Sequence, residues 1–328
     1  MGPETKAMTK FRIAVADSVF PDLHPAERVL GDLGARLDIA RAPTPDAILE
    51  VARDADAILV TYAKITADLI GQLTRCRAIG RFGIGVDNID LDAASQAGIQ
   101  VSFVPDYCLN EVSDHALALL LALARKVVHG NALVQAGRWE MKALTPMSRL
   151  QGRVLGLVGF GRIPQALAPK AQAFGLKVIT SDPFVSEDVT ARLGVTRVDF
   201  EELLAGADYI SVHAPLTPKT HHLFDAEAFQ AMKPGAMLIN TARGPLIDED
   251  ALADALTAGR LAGAALDVVE TEPLPADSPL LGRANVILTP HTAFYSEEAL
   301  VELQTKAAED VARVLRGIAP LYPANRLT

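Results

Sequence analysis

Cysteine is scarce in this sequence, and so are long apolar runs and basic residues. Cys76 and Cys108 are its two cysteines, and they form no disulfide framework and no metal-ligand spacing. With no secretory signal pattern at the start, that scarcity points to a reducing, cytoplasmic setting and to no metal centre. The longest apolar run, Ala116–Ala124, falls well short of the ~20 residues that a membrane span needs, so no membrane partner is expected. Forty acidic against 31 basic residues leave a net charge of -9, which argues against non-specific nucleic-acid binding. No internal repeat or low-complexity stretch is visible, and Met1–Lys10, polar and unpatterned, reads as a frayed end. What is present is half hydrophobic and 22% charged over 328 residues, a soluble globular composition long enough for about two domains.

The organising stretch is Arg153–Pro164. A short apolar run, Val154–Val158, turns at Gly159-Phe-Gly161, and a helical pattern follows to Phe174. Strand, glycine turn and helix start are the parts of a pyrophosphate site. Gly159 permits the tight turn, Gly161 lets the backbone approach the phosphates, and the N–H groups of Arg162 and Ile163 point at the anion. Pro164 stands where the third glycine of the pattern is expected, a substitution that a first helical turn tolerates. A second strand, Leu176–Thr180, leads to Asp182, about 20 residues past the turn, where an acid binds the ribose hydroxyls of NAD and repels the extra phosphate of NADP.

Before this stretch, strand patterns at Phe11–Ala16, Ala57–Thr61 and Ala78–Gly80 alternate with helix patterns at Pro25–Leu33 and Thr66–Thr74. This predicts a parallel sheet covered on both faces, without a dinucleotide fingerprint and therefore suited to the substrate side. Asn110–Val128 is predicted as one long apolar helix capped at Asn110, with Trp139 and Met141 following in a loop. Beyond Asp182, strands are predicted at Tyr209–His213, Met237–Thr241, Ala264–Val269 and Val286–Thr289. Helices are predicted at Glu201–Leu204, Glu249–Ala258 and Ser296–Arg316.

Ligands on open parallel sheets bind beyond the carboxyl ends of the strands. The residues there are His213-Ala-Pro215, Thr241-Ala-Arg243, Asp267, Glu270, Glu272 and His291. Hydride transfer to a 2-oxo acid needs a cation for the carboxylate, a proton donor that titrates near neutrality and a group that tunes it. Arg243 offers a planar fork, His291 is the natural acid/base, and a carboxylate beside it would favour imidazolium. His213 reads as a packing or cofactor neighbour, and His221 and His222 read as solvent-facing. The sequence does not choose between Glu270 and Glu272.

The segments Gly159-Phe-Gly-Arg-Ile, Asn240-Thr-Ala-Arg-Gly244, Asp267-Val-Val-Glu-Thr-Glu-Pro273 and Pro290-His-Thr-Ala293, in that order and spacing, resemble the D-isomer-specific 2-hydroxyacid dehydrogenase family. The resemblance covers most of residues 57–310. Arg81–Asp90, Val104–Cys108 and Pro290–Ser296 look most like its C-terminal-binding-protein-like branch, in which Phe294 stands where a tryptophan is common. The resemblance implies an α/β fold of two lobes, a Rossmann NAD-binding domain (108–291) inserted in a discontinuous flavodoxin-like substrate domain (1–107 plus 292–328). It implies an active site in the cleft, whose closure would exclude water.

The resemblance further implies that Arg243 binds substrate, Glu272 supports the proton donor His291, and Asp267 holds the nicotinamide amide. Thr241, Ala242, His213, Ala214 and Pro215 would border NAD. The Ile84–Gly85 backbone would meet the substrate carboxylate, with Arg81 as a second cation or else a salt-bridge residue. Tyr62, Tyr107 and Phe294 are candidates for an aromatic-tolerant pocket. The 110–128 helix and the Trp139 loop would form a homodimer surface. The implied reaction interconverts a 2-oxo acid and a D-2-hydroxy acid. An NAD(H)-sensing binding protein of the corepressor type and a phosphite or formate dehydrogenase are the alternatives. A phosphoglycerate dehydrogenase with a regulatory extension is not expected, because the chain stops soon after the closing helix.

Overall fold

The computed structural model describes residues 10–327, so the expectation for Met1–Lys10 falls outside the described residues except at Lys10. The chain forms two compact units. The first comprises the residues up to Tyr107 together with those from Ser296, and the second is Cys108–Tyr295. The boundary therefore lies four residues later than the 291/292 junction expected, and residues 292–295 belong with the second unit. The cause is local: the backbone N–H groups of Thr292 and Ala293 bind the Asp267 carboxylate of that unit.

The first unit runs β1 (Phe11–Val15), α1 (His24–Gly31), β2 (Ala35–Ile39), α2 (Pro45–Ala52), β3 (Ala57–Val60), α3 (Ala67–Ile70), β4 (Ala78–Arg81), α4 (Leu91–Gln96) and β5 (Gln100–Ser102). Its parallel strands lie in the order β2-β1-β3-β4-β5, the flavodoxin-like doubly wound order. β3 is apolar and buried throughout because both faces of the sheet are covered. β2 and β5, which the sequence patterns did not reveal, are edge strands: Ala-Arg-Leu-Asp-Ile alternates weakly, and β5 has three residues. β5 is held by a distant side chain, since Asn325 Oδ1 accepts the Val101 N–H at 2.7 Å.

The second unit opens with α5 (Leu109–Ala124) and α6 (Val127–Gln135). It continues through β6 (Val154–Val158), α7 (Arg162–Ala173), β7 (Lys177–Ser181), α8 (Glu187–Arg192), β8 (Thr196–Arg197), α9 (Phe200–Gly206) and β9 (Tyr209–Val212). Then come α10 (Ala226–Ala231), β10 (Ala236–Asn240), α11 (Glu249–Thr257), β11 (Leu261–Leu266) and β12 (Val286–Leu288). The order β12-β11-β10-β9-β6-β7-β8 is the Rossmann arrangement with a seventh strand added at one edge. One apolar core joins the sheet to α9, α10 and α11, and another joins it to α5 and α7. The order in which parallel strands are added reverses between β6 and β9, where Val158 pairs with Val212. Gly159 and His213 therefore leave the sheet side by side at the topological switch point.

The single 110–128 helix predicted is two helices bent by 59°. Residues buried against the sheet run up to Ala124, and Lys126 adopts φ +51°. Beyond it Val127 and Val128 are exposed, so no core contact continues the helix line. The cap residue is Cys108, not Asn110. No single helix among the described residues is long and apolar enough to cross a membrane. The first unit is completed by α12 (Glu297–Leu315), capped by Ser296 Oγ on the Ala299 N–H at 2.9 Å, which packs on α1 and β4.

Candidate active site

The turn after β6 is built around Gly159. Its φ is +88°, and a Cβ there would lie 2.9 Å from the backbone of His213 and Ala214. Both the conformation and the neighbouring exit of β9 thus require glycine. Gly161 opens α7 with no side-chain cap, and a Cβ on it would meet nothing within 4 Å. The first-turn N–H groups of Arg162 and Ile163 follow directly. Pro164 lies buried in that turn, where its missing N–H leaves no helix bond unmade.

Asp182, just past β7, laces this corner together. Its Oδ2 accepts the Phe160 N–H at 2.7 Å, and its Oδ1 accepts those of Phe184 at 2.7 Å and Val185 at 3.1 Å. A helix N-terminus facing open space, a glycine with room beside it and an acid at the next strand end fit a dinucleotide. Thr241 adds to the fit, because its Oγ1 is buried with no hydrogen-bond partner.

The remaining candidates stand at successive strand exits. After β9, the His213 Nε2 and Ser211 Oγ lie 2.8 Å apart, and burial pushes the imidazole pKa down to about 3. His213 is therefore neutral at working pH and unsuited to donating a proton. Ala214 is buried and Pro215 exposed in the same turn. After β10, fully buried Asn240 brackets the next turn: its Oδ1 accepts the Ala242 N–H at 2.9 Å and its Nδ2 donates to the Arg243 carbonyl at 2.8 Å. The half-buried Arg243 side chain donates through Nη1 to the Ala242 carbonyl at 2.7 Å.

After β11, the Asp267 side chain is 1% exposed. Its Oδ1 accepts the Thr289 hydroxyl at 2.6 Å and the Thr292 N–H at 2.9 Å, and its Oδ2 accepts the Ala293 N–H at 2.8 Å. His115 on α5 adds its Nε2 at 3.4 Å from Oδ1 and 3.1 Å from the Thr289 hydroxyl. Burial works to raise the Asp267 pKa, but these donors outweigh it and hold the carboxyl below its ordinary value. The evident work of Asp267 is to fix the 289–293 loop. The Asp267 carbonyl also accepts the His291 N–H at 2.8 Å.

That loop carries His291 in a left-handed conformation, φ +52°. Its Nδ1 lies 2.8 Å from Glu272 Oε2, and the Phe294 ring stands edge-on with its centroid 6.2 Å from the imidazole. Glu272 is steadied in turn by the Val269 N–H, 3.2 Å from Oε1. Glu270, which the sequence left open as the partner, instead contacts His222 Nε2. His222 is half-buried rather than solvent-facing, a correction whose cause is an acidic partner 48 positions away. Sequence reasoning also missed His115, which lies in no pattern that marks chemistry, and gave no role to Asn240, although it opens the Asn240–Gly244 segment.

In the first unit, Arg81 ends β4 and is 6% exposed. Its guanidinium folds back on the Phe82 carbonyl, with the Tyr62 ring centroid 5.9 Å away. Ile84 and Gly85 are half-buried just beyond. Tyr107 is buried, and Tyr62 is partly exposed. Among the described residues no group of three or more His, Cys, Asp and Glu is placed to hold a metal ion.

With this geometry in hand, comparison with known proteins is specific. Residues 117–293 match the family model for the D-isomer specific 2-hydroxyacid dehydrogenase NAD binding domain. A D-3-phosphoglycerate dehydrogenase of Methanocaldococcus jannaschii is 41% identical over 93% of this chain, which spans 58% of that relative's length. A glyoxylate reductase of Korarchaeum cryptofilum is 39% identical over 87% of each chain. The crystal structure of D-lactate dehydrogenase from Aquifex aeolicus, complexed with NAD and lactic acid, superposes with a TM-score of 0.83 at 30% identity, covering 93% of this chain and 96% of that one. Phosphoglycerate dehydrogenases thus stand among the relatives, and the chain spans 58% and 59% of the length of two of them. The chain belongs to the D-isomer specific 2-hydroxyacid dehydrogenase family, a family of NAD-linked oxidoreductases, and its residues 117–293 are the NAD-binding domain of that family.

Proposed function

We propose that the chain is an NAD-dependent dehydrogenase that interconverts a 2-oxo acid and a D-2-hydroxy acid. The observation that carries this reading is the His291–Glu272 pair, at 2.8 Å, on the same unit as the Gly159–Gly161 turn and Arg243. NAD, when bound, supplies the hydride acceptor or, reduced, the hydride donor. Glu272 on Nδ1 fixes the tautomer, so the proton moves at His291 Nε2. In the reducing direction Nε2 donates to the carbonyl oxygen of the substrate, and in the oxidising direction it accepts the hydroxyl proton. Arg243 pairs with the substrate carboxylate as a planar fork and draws electron density from the carbonyl.

Asp182 would receive the ribose hydroxyls of NAD, Arg162 and Ile163 the pyrophosphate, and Asp267 the nicotinamide amide. Thr241, Ala242 and the His213–Pro215 turn complete the border. The exposed side chains of Val127, Val128, Val134, Trp139 and Met141 supply an apolar surface for a homodimer. The test is NADH oxidation against glyoxylate, pyruvate and larger or aromatic 2-oxo acids, run beside NADPH, with 3-phosphoglycerate and NAD in the reverse direction. His291→Ala should lower turnover by roughly 10²–10⁴-fold, the usual worth of a positioned acid/base, while NADH binding persists. Tight NADH binding without turnover on any substrate would sink the dehydrogenase reading and favour an NAD(H) sensor.

A further inference from the structure

We propose that His222 is a positioning residue for this reaction, clasping the loop that carries Arg243 to the loop that carries Glu272. The inference rests on the roles given above to Arg243 and Glu272. His222 holds both loops at once. Its backbone N–H donates to the Pro245 carbonyl at 2.8 Å, two residues past Arg243. Its Nε2 meets Glu270 Oε1, two residues before Glu272, and its Nδ1 lies 3.9 Å from Asp248 Oδ2. The backbone at His222 is left-handed, φ +50°, a conformation uncommon for a side chain of this kind.

The two loops are pressed together beneath this contact. A Cβ on Gly244 would lie 1.9 Å from the Val269 carbonyl carbon and 2.4 Å from the Glu270 nitrogen, so glycine alone allows the approach. The Glu270 N–H donates to Glu249 Oε1 at 2.6 Å, which brings a third carboxylate to the same corner. Burial raises the Glu249 pKa; the Glu270 N–H opposes this, and the charges of Glu270, Asp250 and Glu272 add to it. The imidazole of His222 thus meets Glu270 and lies near Asp248, and its contact with Glu270 offsets the repulsion between Glu270 and Glu249 that would otherwise spread the loop toward Glu272. Displacing Glu272 loosens the His291 tautomer, and displacing the 243–248 loop moves the guanidinium that aligns the substrate.

The test compares His222→Ala, His222→Gln and the wild-type protein. The Ala variant should lose about 10–100-fold in kcat, the scale expected for an ångström of misplacement, with NADH affinity by fluorescence titration and Tm both unchanged. Gln retains a donor for Glu270 and should recover most of the loss. Hydrogen exchange on the ligand-free protein should speed up in the Ala variant within 243–248 and 269–273 and nowhere else. Wild-type kcat and exchange in the Ala variant would overturn the proposal, as would uniformly faster exchange with a lowered Tm. Selective loosening of the two loops in a protein that turns over no 2-oxo acid would uphold the clasp and refute the dehydrogenase reading instead.

Discussion

Asp267→Asn should weaken the second unit, and its cost can be worked from the hydrogen bonds. The carboxylate takes three well-made bonds, from Thr289 Oγ1, the Thr292 N–H and the Ala293 N–H, with His115 nearby. Asparagine has the same shape but one acceptor oxygen. In one orientation its amide NH₂ faces the Ala293 N–H; in the other it faces the Thr292 N–H and the Thr289 hydroxyl. Either way a buried donor loses its acceptor and meets another donor, and a charge-assisted bond is lost, a cost of about 2–4 kcal/mol. For a unit of this size that lowers Tm by roughly 5–12 °C. A thermal melt by circular dichroism at pH 7 without cofactor measures it, and hydrogen exchange should localise the loosening to residues 289–293. The sign with pH follows too. The folded pKa lies below the ordinary 3.8, so this stabilisation is present above about pH 3.8 and is lost as pH falls through the folded value. The variant should lack that acid-side component. An unchanged Tm with unchanged exchange in the loop would refute the view of Asp267 as its anchor.

Other expectations are briefer. Gly159→Ala should cost about 1–3 kcal/mol of stability from backbone strain alone and should abolish NADH binding, because its Cβ also meets the His213–Ala214 backbone; equilibrium unfolding and fluorescence titration check this. His213 stays neutral in the folded chain down to about pH 3, whereas the unfolded chain takes up its proton near 6.5. Stability should therefore fall as pH drops from about 6.5, and His213→Asn should flatten that slope in urea unfolding at graded pH. Asp182→Ser should narrow the preference for NADH over NADPH in paired binding measurements, and it should also loosen Val185, whose N–H the carboxylate holds at 3.1 Å.

Much of the second unit was legible because its chemistry is local. The Gly159–Gly161 turn, the strand exits and the order of the motifs are visible in short segments, and the structure sets the turn at the switch point and the other exits at successive strands of the same sheet. What escaped depends on distance in the chain. β5 is held by Asn325, and residue pattern alone does not separate Glu270 from Glu272, whose contacts are with His222 and His291, 48 and 19 positions away; the family resemblance names Glu272. The break at Lys126 was hidden because the apolar composition continues through Val127 and Val128 although their cover does not.

The return of the chain to the first unit after residue 295 has a consequence for synthesis on the ribosome. The strands β1–β5 emerge early, but α12, whose buried Leu303, Ala307, Ala308 and Val311 face them, comes almost two hundred residues later. Until then the face that α12 shares with α1 is only partly covered, while the second unit, contiguous from Cys108 to Tyr295, can fold as it appears. The nascent first unit is accordingly the stretch most exposed to chaperones and proteases, and a ribosome stalled before Glu297 would leave it unfinished however well the NAD-binding unit had formed.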